Sequence, residues 1–421
     1  MRYSSWDYGD ISTYALVEMG QSPPGVSCNA EGRGMPLLNG PTEFGSKYPT
    51  PKQWTIEPKR VCEPGDILFC VRGSTTGRMN WADQTYAIGR GLAAIKHREG
   101  AEYQHFLKAA IDNSLDELLS MATGSTFPNV SKSQISGMRS PLPSLPEQRA
   151  IAATLSCLDD KMELNNRMNK NLEEMAQALF KSWFVDFDPV KAKMEGREPA
   201  GMDAETAALF PDEFEESELG PIPKGWRTGR LGEVVASIRQ AASLAEIGDD
   251  CPYVGLEHIP RKSLMLESWG QASEISSQKS SFRAGNILFG KLRPYFHKVS
   301  IAPVDGICST DILAFSASEE WYGFAVGHLY STDLIDYATN LSQGTRMPRV
   351  NLKDISNYPV VLPGLGIASA YSNVAASWFA HMLANARQNS RLSALRDTLL
   401  PRLMSGEIRV PQAEEIMEEV L

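Results

Sequence analysis

One short segment of the chain holds the residues best suited to do chemistry. In Val71–Met79 two arginines flank a run of glycine, serine and threonine. Glycine lets a backbone approach a phosphate closely, hydroxyl groups hydrogen-bond to that phosphate, and an arginine fork can contact the edge of a guanine base. The segment therefore predicts a loop that contacts nucleic acid, with a surface salt bridge as the alternative for each arginine. The candidate residues are Arg72, Ser74, Thr75 and Arg78.

Three other segments are basic, and two of them are also aromatic. Lys291–Lys298, with the sequence KLRPYFHK, combines cations with aromatic rings. Gly40–Trp54 is a proline-rich stretch that could face a nucleic-acid groove or simply cover the edge of a sheet. Gly344–Arg349 carries a glycine and a proline typical of a turn, so a purely structural role stays open there. The candidate contacts from these segments are Lys47, Tyr48, Lys52, Lys291, Arg293, Tyr295, Lys298, Arg346 and Arg349.

Motifs of the enzymes that act on nucleic acids are absent from the sequence. It contains no Gly-x-x-x-x-Gly-Lys-Ser/Thr loop, no Asn-Pro dipeptide of the kind that holds a flipped base, and no complete Gly-x-Gly-x-x-Gly. Asp186, Asp188 and Lys191 come nearest to a nuclease cluster, but a helix end in a linker accounts for them. The six cysteines and six histidines lack metal-ligand spacing. We expect a non-catalytic cytoplasmic chain with no metal, no cofactor of its own and no membrane segment.

The net charge of −10 would argue against nucleic-acid binding only if it were spread evenly. Glu195–Gly220 holds nine acidic residues and one basic residue, and Pro411–Leu421 holds four glutamates. These two segments carry −8 and −4, so the remaining residues together carry +2. Electrostatic attraction acts over a screening length of about 8 Å at physiological salt. The charge balance therefore permits nucleic-acid binding without proving it.

The chain is an internal duplication with one fixed offset. GDILF at Gly65–Phe69 recurs as GNILF at Gly285–Phe289, and GSTFPNVSKSQIS from Gly124 recurs as GTRMPRVNLKDIS from Gly344, both 220 positions later. An ungapped register across separate blocks indicates two diverged halves with one shared fold. The loop that follows the repeated strand differs between the halves, as expected of two readers of different sequences.

Each half ends in a long helix with a heptad seam. From Ile151 to Trp183 the seam residues alternate steps of four and three, and the second half repeats this pattern from Tyr371 to Leu403. Such a seam is typical of a coiled coil, and seam asparagines fix register when they pair. The alternative is that the asparagines only mark a hydrated middle. The predicted pairing positions are Leu158, Met162, Asn165, Asn169, Leu172, Leu179, Trp378, Met382, Asn385, Asn389, Leu392 and Leu399.

These patterns predict an α/β fold of the α+β type. Two similar globular domains are each followed by a long helix, and the helices pair as an antiparallel coiled coil with pseudo-twofold symmetry. Within the first domain a helix is predicted over Tyr103–Ala122, and within the linker a turn or two of helix is predicted over Ala204–Phe210. The predicted bounds are a first recognition domain at 1–145, a helix at 146–186, an extended acidic linker at 187–224, a second recognition domain at 225–366, a helix at 367–405 and an acidic tail at 406–421.

Several of these motifs together resemble the specificity subunits of type I restriction–modification systems. They are PGDILF, AGNILFGKLRPYF, GSTFPNV, PLPSLPEQRAIAATLSCLDDKMELNN, ALFKSWFVDFDPV and LLPRLMSGEI, and they are spread over the whole chain. The resemblance implies two target-recognition domains, each binding one half of a bipartite asymmetric site in double-stranded DNA, with the helices as a spacer. It also implies two methyltransferase subunits, which bring S-adenosylmethionine, and restriction subunits that translocate DNA.

Two other classes of protein remain open at this stage. A coiled-coil adaptor or scaffold would use the same helices to recruit proteins without sequence-specific DNA binding. A stand-alone methyltransferase or nuclease would show activity as a purified chain, and we expect none.

Overall fold

Two units, each with its own sheets and buried core, make up the chain. The computed structural model describes residues 6–45, 47–122, 128–238, 241–242, 248, 250–272, 279–342 and 347–420. The first unit comprises Met1–Asp160 with Leu392–Leu421, and the second comprises Lys161–Arg391. Among the described residues, no helix is both long enough and apolar enough to cross a membrane.

In the first unit, short apolar runs form strands that are buried on both faces. Ile67–Cys70 is the central example, because all four of its side chains are buried. The elements to residue 184 are the strands β1 (Tyr8–Asp10), β2 (Ala15–Met19), β3 (Cys28–Asn29), β4 (Met35–Leu38), β5 (Gln53–Thr55), β6 (Val61–Cys62), β7 (Ile67–Cys70), β8 (Met79–Trp81), β9 (Tyr86–Ile88), β10 (Leu92–His97) and β11 (Arg139–Pro141), and the helices α1 (Gln104–Asn113), α2 (Leu115–Ser120), α3 (Lys132–Ser136) and α4 (Leu145–Phe184).

The sheets of the first unit position the loop that connects strands β7 and β8. A four-stranded antiparallel sheet has the order β2–β10–β7–β8, and a five-stranded sheet has the order β3–β5–β4–β9–β6 with β4 parallel to β9. Strand β1 pairs with β11. In the hairpin β7–β8, Ile67 lies opposite Trp81, so residues 71–78 form the connecting loop.

The second unit repeats most of these elements. Its central strand, Ile287–Gly290, begins 220 positions after Ile67 and is again fully buried. The remaining elements are α5 (Asp188–Met194), α6 (Ala204–Leu209), β12 (Phe214–Ser217), β13 (Gly220–Pro223), β14 (Arg227–Arg230), β15 (Ala236–Ile238), β16 (Ala241–Ala242), β17 (Pro252–Val254), β18 (Gly270–Gln271), β19 (Lys279–Phe282), β20 (Ile287–Gly290), β21 (Val299–Ile301), β22 (Gly306–Cys308), β23 (Ile312–Ser316), α7 (Glu319–Leu329), α8 (Thr332–Leu341), α9 (Leu352–Ser356), β24 (Pro359–Leu362), α10 (Leu365–Ser405) and α11 (Val410–Val420).

Sheet order shows which part of the duplication is shared. The antiparallel sheet β15–β23–β20–β21 matches that of the first unit, and Ile287 lies opposite Ile301 just as Ile67 lies opposite Trp81. The five-stranded sheet β16–β19–β22–β17–β18 keeps one parallel pair, β17 with β22. The two sheets share four strands and differ in the fifth. In the second unit the fifth strand, β16, pairs with β19. In the first unit the fifth strand, β3, pairs with β5, at the opposite edge of the four shared strands. The two units therefore share a framework and differ at one sheet edge.

Helices α4 and α10 pair, as the heptad seams predict. In the second unit the Tyr371 hydroxyl donates to the Ala176 carbonyl at 2.9 Å, and Asn169 meets Asn385, so residue numbers rise along one helix as they fall along the other. In the first unit the same two helices are joined by an ion pair between Arg396 and Asp159 at 3.2 Å. The pairing is therefore antiparallel.

The seam asparagines form a hydrogen-bonded set in the second unit. Asn165 donates to Asn389 at 2.8 Å, and Asn385 donates to Asn169 at 2.8 Å. These two bonds are equivalent under the 220-residue offset, which is the expected result of a local twofold relation between the helices. Asn389 also donates to Asn166 at 2.7 Å. The asparagines are thus paired across the seam, which favours their role in fixing register.

The acidic linker is more ordered than the sequence predicts. Helix α6 lies where a turn or two of helix is predicted, but the chain also forms α5 and the hairpin β12–β13 instead of an extended connector, and it buries Val190, Phe210 and Ile222. Charge alone led to the wrong expectation, because the acidic residues face outward while the widely spaced apolar residues pack inward. The acidic tail likewise contains helix α11, with Ala413 buried.

The single helix predicted over Tyr103–Ala122 is two helices. They meet at Ser114, whose hydroxyl donates to the Arg139 carbonyl at 3.0 Å. A side chain that bonds to a distant strand competes with a continuous helix, and this contact cannot be seen in the local sequence pattern.

Candidate nucleic-acid interface

The loop of hairpin β7–β8 carries the first set of candidate residues. Arg72, Ser74 and Thr75 are exposed. The loop backbone is fixed by Thr76, whose hydroxyl donates to the Gly73 and Pro128 carbonyls at 2.8 Å each. A fixed backbone with exposed hydroxyl and guanidinium groups suits contact with phosphates and base edges.

Arg78, at the end of this loop, has internal partners. Its guanidinium donates to the Phe44 carbonyl at 3.3 Å and the Pro41 carbonyl at 3.5 Å, and it lies 5.8 Å from the centre of the Phe44 ring. The side chain therefore holds the segment Gly40–Trp54 against the hairpin. Arg78 can shape the surface without itself reaching a base.

The segment Gly40–Trp54 provides three further candidates in different settings. Lys47 forms an ion pair with Asp160 at 3.2 Å, and its ammonium lies 5.7 Å from the centre of the Tyr48 ring. Tyr48 and Lys52 are exposed. Of these three, Tyr48 and Lys52 are the better placed to meet a ligand directly.

The loop of hairpin β20–β21 has the same backbone form but different residues. Gly73 and Gly77 have φ of 91° and 92°, and the equivalent positions in the second unit, Arg293 and His297, have φ of 52° and 51°. Left-handed backbone costs about 1–3 kcal/mol for a residue other than glycine and persists only where surrounding contacts enforce it. The second loop therefore carries side chains at positions where glycine would be less strained.

His297 is held from inside the unit. Its Nε2 lies 2.9 Å from the Tyr330 carbonyl oxygen, and burial lowers the pKa of the imidazole below its usual value. The Lys262 amide donates to the His297 carbonyl at 2.9 Å, which ties a second segment to the loop. A neutral buried histidine acts here as a structural support.

Lys298 occupies the position equivalent to Arg78 and also has an internal partner. Its ammonium donates to the Leu256 carbonyl, and burial, with a contribution from Arg261, lowers its pKa. In each unit the cation at the end of the loop thus bonds to a backbone carbonyl that follows one of two equivalent strands. This strand is β4 in the first unit and β17 in the second.

The remaining candidates of the second unit differ in their surroundings. Arg349 forms a two-pronged ion pair with Asp311, at 3.0 and 3.4 Å, and the bond raises its pKa. Tyr295 is exposed. Lys291 lines a cleft of about 370 Å³ with the largely buried Lys279. Arg346, like residues 124–127 of the GSTFPNV turn, lies outside the described residues.

The sequence analysis missed Arg261. Its guanidinium carbon lies 3.8 Å from the centre of the Phe296 ring, and Arg293 lies 5.9 Å from the same ring. Arg261 belongs to the stretch between β17 and β18, where the two units do not follow the 220-residue offset, so the repeat gave no reason to select it. The only local signal was a pair of adjacent cations, Arg261 and Lys262.

The structure therefore places cations around each hairpin loop, and Lys47, Arg78, Lys298 and Arg349 among them bond to groups of their own unit. Among the described residues there is no group of three or more histidine, cysteine, aspartate or glutamate side chains that could hold a metal ion.

Comparison with known families shows what this part of the chain is similar to. Residues 42–174, which include the β7–β8 loop, match the family model for the type I restriction modification DNA specificity domain. This segment is thus similar to that domain. The fold class and the family resemblance inferred from the sequence are confirmed.

Relatives of known function are similar over most of the chain. The type I restriction enzyme HindI specificity subunit of Haemophilus influenzae is 26% identical over 415 residues, covering 83% of this chain and 88% of the relative. The type I restriction enzyme MjaIX specificity subunit of Methanocaldococcus jannaschii is 27% identical, covering 84% and 80%. The crystal structure of the type I restriction–modification S subunit from M. genitalium aligns with a TM-score of 0.58 at 17% identity, over 95% of this chain and 96% of the other. That structure supports the fold, and the sequence relatives support the family.

Proposed function

We propose that this chain is the DNA-specificity subunit of a type I restriction–modification complex, and that each unit binds one half of a bipartite asymmetric target. One observation carries the proposal: two hairpin loops 220 positions apart share their backbone form and present different chemistry. Two copies of a recognition domain that bind different half-sites need this combination of a common framework and a variable surface.

We assign direct contacts in the first unit to Arg72, Ser74, Thr75, Tyr48 and Lys52, which are exposed. In the second unit we assign them to the exposed Tyr295 and to the half-buried Lys291 and Arg293 of the same loop. We assign Lys47, Arg78, Lys298 and Arg349 to shaping the surface, since each bonds to a group of its own unit. Recognition domains at 1–145 and 225–366 are part of this proposal.

The long helices are assigned to spacing and assembly. On α4, Leu164, Met168 and Met175 are each more than two-fifths exposed and are separated by four and seven positions, so they lie along one face. An exposed apolar stripe of this kind is typical of a protein–protein contact. We propose that methyltransferase subunits pack on this stripe, and that the length of the paired helices sets the number of unread base pairs between the half-sites.

The chemistry is assigned to the partners. S-adenosylmethionine would be bound by the methyltransferase subunits, and restriction subunits would supply translocation and cleavage. This chain would contribute only recognition and assembly.

The decisive experiment expresses the chain with the methyltransferase subunits of its own system and sequences the modified adenines in the host genome. We expect one bipartite motif with a fixed spacer and no methyl transfer by the purified chain alone. Arg72→Ala should relax one half of the motif only. Deleting seven residues from each long helix should shorten the spacer and leave both halves unchanged.

A salt titration tests the competing function of a coiled-coil adaptor. DNA binding through phosphates predicts that the logarithm of the binding constant falls linearly with the logarithm of salt concentration. A flat response, together with the absence of a methylation motif, would favour the adaptor.

A further inference from the structure

The stacked arginine of the second unit provides a specific means of reading a base. We propose that Arg261, stacked on Phe296 and flanked by Arg293, reads a guanine in the half-site bound by the second unit. This inference rests on the proposed function and deepens it by naming a base and the residue that contacts it.

The stack has the geometry that such contact requires. The Arg261 guanidinium carbon lies 3.8 Å from the centre of the Phe296 ring, while the Arg261 side chain is exposed. A guanidinium that rests its face on an aromatic ring keeps its planar edge available for hydrogen bonds. The ring fixes the direction of that edge before any ligand arrives, so little side-chain freedom remains to be lost on binding.

Two further side chains enclose the same ring. Tyr295 meets Phe296 edge to face with centroids 4.8 Å apart, and about half of Tyr295 is exposed. Arg293 lies on the ring at 5.9 Å. The result is a small basic and aromatic surface at the tip of the β20–β21 loop.

The backbone beneath this surface is unusual. Of the four described residues other than glycine that have positive φ, three are Lys262, Arg293 and His297. The first unit places glycine at the two positions equivalent to Arg293 and His297. His297 is buried and bonds to the Tyr330 carbonyl, and Arg293 lies 5.9 Å from the centre of the Phe296 ring.

The buried carboxylate of Glu173 on helix α4 bonds to two segments that support this surface. Glu173 accepts from the Leu264 amide at 2.7 Å and from the Tyr330 hydroxyl at 2.7 Å. The first bond fixes the segment that carries Arg261, and the second fixes the residue whose carbonyl contacts His297. The position equivalent to Glu173 in the other copy is Ser393, so this support belongs to one unit only.

Base chemistry selects guanine. In the major groove, guanine presents two adjacent acceptors, N7 and O6, that match the two parallel donors of an arginine edge. Adenine presents one acceptor and one donor there, so its amino group would face a guanidinium donor. Discrimination by such a pair corresponds to roughly tenfold or more in relative binding.

The test compares methylation motifs of the complex containing the wild-type chain or a variant. Arg261→Lys keeps the positive charge and the aliphatic part of the side chain but removes the two parallel N–H donors of the guanidinium. Phe296→Leu removes the aromatic ring on which the guanidinium stacks. Both should make one guanine position in one half-site degenerate, with about tenfold or greater loss of preference in competition binding, and leave the other half-site intact. Arg293→Gly should weaken the same position while leaving the unfolding midpoint unchanged or higher.

Lys262→Gly is the matched control. It removes one exposed positive charge and one left-handed non-glycine backbone from the adjacent position, so it should lower affinity evenly and leave base preference unchanged. An unchanged motif in Arg261→Lys, the absence of guanine from that half-site, or relaxation of both half-sites would overturn the inference. If the wild-type complex yields no bipartite motif, the proposed function itself fails, which is a separate outcome.

Discussion

The loops 71–78 and 291–298 occupy equivalent positions in the two units and make the same connection with different residues. Both connect the two strands of a hairpin, both turn through left-handed backbone at the same two positions, and both end in a cation that bonds to a backbone carbonyl. The first uses glycine at the turns and exposes hydroxyl groups. The second uses arginine and histidine there, and its Phe296 ring carries the stacked guanidinium of Arg261 from the stretch between β17 and β18.

This difference shows where the two copies of a duplicated fold vary. The buried strands below the loops keep their register to the residue, since Ile67 lies opposite Trp81 and Ile287 lies opposite Ile301 at equivalent positions. The loop surface and one edge of the five-stranded sheet differ between the copies. The loops can therefore diverge while the fold stays the same.

The largest effect is expected at the shared framework. Phe69→Ala and Phe289→Ala each remove a fully buried ring from equivalent strands and should each cost about 3–5 kcal/mol of unfolding free energy in the unit concerned. Amide hydrogen exchange, read separately for each unit, measures this effect. Ser74→Ala on the exposed loop is the control and should change stability little. A loss that spreads equally through both units would contradict independent cores.

A smaller effect, restricted to the second unit, is expected at Glu173. Glu173→Gln leaves one of the donors, the Leu264 amide or the Tyr330 hydroxyl, without a good acceptor and should cost about 2–3 kcal/mol. The first unit should be unaffected. An equal loss of hydrogen-exchange protection in both units would contradict the view that Glu173 stabilises the second unit alone.

The same residue should produce a pH dependence of stability. Burial raises the pKa of Glu173 above its usual value, so the folded chain holds this proton more tightly than the unfolded chain does. The unfolding free energy therefore falls as pH rises from the unfolded pKa through the raised folded pKa. Urea unfolding of the wild type and Glu173→Gln at a series of pH values should show a shallower slope in the variant.

The paired helices should respond alike to equivalent substitutions. Asn165→Ala and Asn385→Ala each break one of two equivalent bonds across the seam and should each cost about 1–2 kcal/mol. A double-mutant cycle between Asn165 and Asn389 should give a positive coupling energy. Additive effects would mean that the asparagines do not act as a pair.

The smallest effect is expected at the loop backbone. Gly73→Ala should cost about 1 kcal/mol, because φ is positive there and the added methyl group meets no atom within 4 Å. Thermal unfolding measures the change. Gly40→Ala is a suitable control, since the added methyl group also has open space but φ there is not in the left-handed region.

Much of this protein could be predicted from the sequence, and the reason is that the relevant signals are regular. The 220-residue offset, the heptad seams and the two hairpin loops all follow from repeated spacing, which secondary structure imposes on the chain directly. The paired asparagines could be selected because a polar residue in an apolar seam stands out.

Other features depended on contacts between residues far apart in the chain. Charge predicted an extended linker, but the burial of Phe210 and Ile222 decides its structure. Arg72 and Arg78 are both exposed, and the sequence could not show that Arg78 bonds to the Phe44 carbonyl.

The sequence by itself determined the duplication, the α+β class, the antiparallel helix pair and the family resemblance, because each leaves a periodic or motif-level trace. Only the tertiary structure decided which cations face outward and placed Arg261 on Phe296. The physical reason is that a side chain's partners are set by packing between segments that no local spacing connects.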